Sequence, residues 1–89
     1  MLETAVGYDA LGSLTDSAWN TAVGALALVS NRGDQNTAVG YAALSRNTNG
    51  WGNTANGYSA LEFNTNGAQN TASGHPDKII VRLVVATEA

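Results

Sequence analysis

The chain has 89 residues, a net charge of −3, one histidine and no cysteine. That length allows one small domain, and the missing cysteines exclude a disulfide framework and any thiolate metal site. The four basic residues, Arg32, Arg46, Lys78 and Arg82, form no patch, so the footprint that nucleic acid requires is absent. No apolar run approaches the length of a membrane span and no signal peptide is read at the start, so no membrane insertion is expected.

In chain order, Met1-Leu2-Glu3 runs directly into a Thr-Ala-Val-Gly string. A natural terminal repeat is normally an atypical cap, so the start reads as a cut inside a longer array. The string Thr-Ala-x-Gly begins at Thr4, Thr21, Thr37, Thr54 and Thr71, in steps of 17, 16, 17 and 17 residues. A fixed short period marks a stacked architecture rather than a closed domain with a pocket. Asn20, Asn36, Asn53 and Asn70 precede four of these threonines, and Glu3 precedes the first. Ala5, Ala22, Ala38, Ala55 and Ala72 follow them, and Gly7, Gly24, Gly40, Gly57 and Gly74 stand two residues further on. Ala-Leu recurs at Ala10-Leu11, Ala27-Leu28, Ala43-Leu44 and Ala60-Leu61.

Thr-Ala-Val-Gly-Tyr alternates with period two, which suits a short strand. The spacing predicts one strand per unit, a bend near Ala-Leu, and an Asn-rich turn back to the next Asn-Thr. The Asn-Gly stretches are expected to supply left-handed turn conformations. A face restricted to Ala and Gly implies close backbone approach and suggests chains packed around a shared axis. Asn20, Asn36, Asn53 and Asn70, which precede the threonines, are expected to stack as a ladder in which each side-chain amide bonds to the next. A unit this short cannot bury its own apolar face, so neighbours must stack. The fold class expected is all-β: a parallel β-solenoid (β-roll or β-helix) of 16–17-residue coils over residues 3–74. Small chains lean on disulfides, metals or oligomerisation for stability. With no cysteine and one histidine, self-association is the expected support.

After Gly74 the repeat stops, and Pro76 marks the break. Residues 75–89 form a separate C-terminal strand segment, read as a cap, clasp or connector. Lys78 to Thr87 is rich in β-branched residues and must be covered, either on the last coil or by other chains.

The unit Asn36-Thr37-Ala38-Val39-Gly40-Tyr41-Ala42-Ala43-Leu44, followed by an Asn-Thr-x-Gly turn, resembles the repeats of phage tail-fibre and bacterial surface-fibre proteins. It is more distantly similar to the head repeats of trimeric autotransporter adhesins, which carry an Asn-Ser-x-Ala-x-Gly core on a shorter period. The resemblance covers about residues 3–74 and implies a homotrimeric shaft on a virion tail fibre or cell surface. The longer period and Asn56 and Ser73 in the Val position depart from those patterns, and the C-terminal segment resembles no part of them.

No catalytic residue, metal site or cofactor is expected. A nucleophile needs a base held by a third group, and the one histidine, His75, sits at the repeat boundary. The candidate contacts to a glycan or protein receptor are Trp19, Arg32, Asp34 and Trp51, all in variable turn regions. Each has an ordinary alternative. Gly33 of Arg32-Gly33-Asp34 occupies the place of Gly50 and Gly67, so the turn itself calls for glycine. Trp19 and Trp51 suit stacking on sugars, and equally packing on a neighbouring coil or chain. The leading functional reading is a structural spacer. The alternatives are a receptor- or glycan-binding module and, ranked below it, an ice-binding array of the five repeat threonines, which the bulky tyrosines disfavour.

Overall fold

The computed structural model describes residues 3–12, 18–74 and 80–83, the last by backbone alone. The chain is a parallel β-solenoid of about four turns, with no helix among the described residues. Its strands are β1 (Glu3–Val6), β2 (Asn20–Val23), β3 (Thr37–Val39), β4 (Thr54–Asn56), β5 (Asn70–Ser73) and β6 (Ile80–Leu83). They form one sheet in chain order. Strands β1 to β5 are parallel and pair repeat with repeat: Thr21 opposite Thr37, Ala22 opposite Ala38, Val23 opposite Val39. Strand β6 runs antiparallel along β5, with Ala72 opposite Val81, so this part of the C-terminal segment lies on the last coil.

The period-two alternation sets the two faces of the sheet. Asn and Ala point inward: Asn20, Asn36, Asn53, Ala22, Ala38 and Ala55 are buried. Thr and Val point outward. Valines 6, 23 and 39 are exposed by 58%, 37% and 37%. The core is one column of alanines from the strands, packed against Ala27, Ala43, Ala60 and the leucines Leu11, Leu28 and Leu44. This corrects the expectation that the Ala/Gly face is where separate chains meet. The close approach it permits is between coils of the same chain. A Cβ placed on Gly40 would lie 2.6 Å from the Gly57 carbonyl oxygen, and Gly24 stands in the same relation to Gly40.

The bend after each strand is built on left-handed backbone. Gly40 has φ 126°, then Ala42 and Leu44 have φ 58° and 51°. The same pattern recurs at Leu26 and Leu28 and at Ser59 and Leu61. The Ala43 N–H closes the turn on the Gly40 carbonyl, and the Leu44 N–H donates to Ala60 in the next coil. A left-handed leucine is locally unfavourable by about 1–2 kcal/mol, and full burial of Leu28 and Leu44 offsets it.

The Asn-rich turns work differently from the sequence expectation. Among the described residues, no Asn has positive φ, and neither do Gly33, Gly50 and Gly67. Glycine is required there by space: a side chain on Gly33 would run into the Gly50 carbonyl, and one on Gly50 into Gly67. The 16-residue step also has its location. The Arg32 N–H bonds to the Thr48 carbonyl as the Asn49 N–H bonds to that of Thr65, while Asn31 pairs with Asn47 and Gly33 stacks on Gly50, so the second coil lacks a residue corresponding to Thr48.

Two asparagine ladders run inside the stack. In the first, each side-chain oxygen accepts the backbone N–H of the next Asn: Asn20 Oδ1 from Asn36, Asn36 Oδ1 from Asn53, and Asn53 Oδ1 from Asn70, each at 2.9 Å. Glu3 opens this ladder, its carboxylate accepting the Asn20 N–H at 2.6 Å. The expected amide-to-amide ladder exists, but it is formed by the turn residues Asn31, Asn47 and Asn64, with Nδ2 to Oδ1 distances of 2.7 and 3.0 Å. The Gly50 carbonyl joins the two, accepting from Asn36 and Asn47 at 2.9 and 2.8 Å. Among the described residues, every buried side-chain polar atom has a partner.

Candidate functional site

The variable surface residues gather at the corner that precedes each strand. Three backbone bonds of 3.0 Å fix the register of this corner: the Gln35 N–H to Ala18, the Gly52 N–H to Asp34, and the Gln69 N–H to Trp51. Ala18-Trp19, Asp34-Gln35, Trp51-Gly52 and Ala68-Gln69 therefore stack in that order. The residue before each Asn is left-handed in every case: Trp19 at φ 59°, Gln35 at 61°, Gly52 at 65° and Gln69 at 56°. This geometry turns the chain sharply into the strand and leaves the preceding Asp34 and Trp51 exposed, whereas Ala18 is buried.

Of the four candidate contacts read from the sequence, Trp19, Asp34 and Trp51 thus lie on one edge, in successive coils. Trp19 and Trp51 are 59% and 47% exposed. Asp34 is exposed, and its Oδ1 accepts the Ala18 N–H at 2.8 Å, which anchors the carboxylate beside the coil of Trp19. Arg32 is exposed and sits one corner earlier, in the shortened turn. The central glycine of Arg32-Gly33-Asp34 is buried; its N–H and carbonyl are both held by the Asn31 side chain, at 3.1 and 2.9 Å.

Gln35 belongs to this edge and was not picked out from the sequence. The available signal was its place immediately before Asn36, shared with Gln69, Gly52 and Trp19.

At the opposite end of the strand a second column emerges from the residue after each repeat glycine. Tyr41 and Tyr58 stack with centroids 5.3 Å apart and ring planes 15° from parallel. Tyr8 is separated from them by Ala25 and is 76% exposed. On the next face, the Arg46 guanidinium lies over the Phe63 ring, 4.8 Å from its centroid. Tyr and Val columns together make an exposed apolar strip along the first three coils; Asn56 and Ser73 replace valine beyond it.

Among the described residues, no group of three His, Cys, Asp or Glu side chains can hold a metal ion, and no helix is long and apolar enough to cross a membrane. His75 and the carboxylates Asp16, Asp77 and Glu88 lie outside the described residues. No protein-family model, curated protein or solved structure matches the chain.

Proposed function

We propose that the repeat region is a shaft or spacer segment of a homotrimeric fibre, on a phage tail or a bacterial cell surface. The observation that carries this reading is the division of labour within each coil. The recurring Asn, Ala and Leu side chains are spent on stacking the next coil, and the variable corner residues Trp19, Asp34, Gln35 and Trp51 face solvent. Such a stack grows along one axis by adding units, which is the property a spacer needs. The resemblance of the unit to fibre repeats points the same way. The partner in this reading is the chain itself. The exposed valines 6, 23 and 39 with Tyr8, Tyr41 and Tyr58 offer copies an uncharged face on which equivalent coils meet in register.

Duplication of residues 37–53 tests the spacer reading. One extra coil lengthens the particle by about 4.8 Å, the strand spacing of a sheet, at unchanged cross-section in small-angle X-ray scattering. An inserted coil that loops out or unfolds the stack, with no axial growth, contradicts the proposal.

A further inference from the structure

We infer that the corner edge formed by Trp19, Asp34, Gln35 and Trp51 is a carbohydrate-binding site for a neutral oligosaccharide lying along the solenoid axis. The inference rests on the corner geometry and is independent of the spacer reading. The two tryptophans lie two coil steps apart, about 10 Å along the axis at the strand spacing of a sheet. Between them stand a carboxylate and an amide, side chains that accept and donate hydrogen bonds in a plane. Sugars match this alternation. Their C–H faces stack on aromatic rings and their hydroxyl edges pair with Asp and Gln.

Trp19 carries the argument furthest. It occupies a left-handed position that another coil fills with Gly52. The corner imposes this φ in every coil, and a bulky side chain is a costly choice of residue for it. Here the aromatic ring remains more than half exposed, so its own coil returns little burial for that conformation. Trp51 likewise stands in a column otherwise filled by Ala18, Asp34 and Ala68. Neither tryptophan is a repeat position, and the stack does not require either. Asp34 argues against a phosphate-bearing ligand, and the polar pair between the rings interrupts the continuous apolar surface that a protein helix would need.

The array supplies its own test variants. Trp19→Gly and Trp51→Ala install residues that equivalent corners already hold, and Gln35→Gly places glycine at a left-handed position. The full chain is applied to immobilised cello-, chito- and malto-oligosaccharides, and tryptophan fluorescence is titrated with any that retain it. The wild-type chain is expected to bind one of these series. Trp19→Gly and Trp51→Ala then bind about tenfold more weakly or worse, the scale of one lost aromatic contact, with the melting temperature no lower and the native mass unchanged. Gln35→Gly weakens binding without touching the tryptophans. The proposal is overturned if no oligosaccharide retains the wild-type chain, or if the variants bind as it does. It is also overturned if either Trp substitution lowers the melting temperature or changes the native mass, since the ring then packs against another copy.

Discussion

Asn36→Ala is the most informative single change in the stack. The side chain is fully buried and makes three bonds of its own. Oδ1 accepts the Asn53 N–H at 2.9 Å, and Nδ2 donates to Gly50 at 2.9 Å and Asn31 Oδ1 at 3.2 Å. Truncation has unequal consequences for these partners. The Gly50 carbonyl keeps Asn47 Nδ2, and Asn31 Oδ1 keeps Asn47 Nδ2 and the Gly33 N–H. The Asn53 N–H loses the acceptor that held it and is left buried, which costs about 1–3 kcal/mol. The remaining lost bonds and the small cavity add about 1 kcal/mol. The expected loss is about 3 kcal/mol, measured by urea unfolding followed by circular dichroism at one fixed chain concentration, because association shifts apparent stability. Asn49→Ala is the control. Its amide bonds Asn66 at 3.2 Å on the exposed side of the same turns, and its removal should cost no more than about 0.5 kcal/mol. Equal effects of the two substitutions would refute the claim that the inward ladder, rather than asparagine content, holds the coils together.

Other outcomes follow from the geometry. Gly40→Ala should abolish the cooperative melt, since it combines φ 126° with a Cβ 2.6 Å from the Gly57 oxygen. Gly52→Ala should cost only about 1–2 kcal/mol, because its φ is 65° and its nearest neighbour, the Gln69 side chain, lies 3.5 Å away. Val39→Asn copies the residue at Asn56 onto the exposed strip. It should leave the monomer fold intact and weaken self-association by about tenfold or more, as expected for exposing roughly one buried valine per interface; sedimentation velocity across a dilution series reads this directly.

Much of the fold was legible because the period is short and the strand pattern strict. The threonine register of 17, 16, 17 and 17 residues is the register of the sheet. What the sequence pattern obscured was direction and cause. Ala and Gly signal close approach, but composition alone does not say whether the neighbour is another chain or the next coil; the buried alanines of β2, β3 and β4 place it within the chain. Left-handed backbone was expected at Asn and Gly, the residues with the lowest local cost. Leu11, Leu28 and Leu44 adopt it because core burial outweighs the local preference, a tertiary effect that propensity does not contain. Turn asparagines 31, 47 and 64 looked like loop chemistry, and their ladder emerges only when Asn31 is set against Asn47 and the missing residue is located. The tryptophan edge was half visible. Trp19 and Trp51 stood out as irregular, but their alignment around Asp34 and Gln35 depends on the corner hydrogen bonds.

Native mass spectrometry of the intact chain tests the central claim, a coil stack completed by copies of itself, most directly. The account predicts a mass of three chains at micromolar concentration, shifting toward monomer for Val39→Asn and unchanged for Trp19→Gly. A wild-type chain that remains a monomer while melting cooperatively would contradict it.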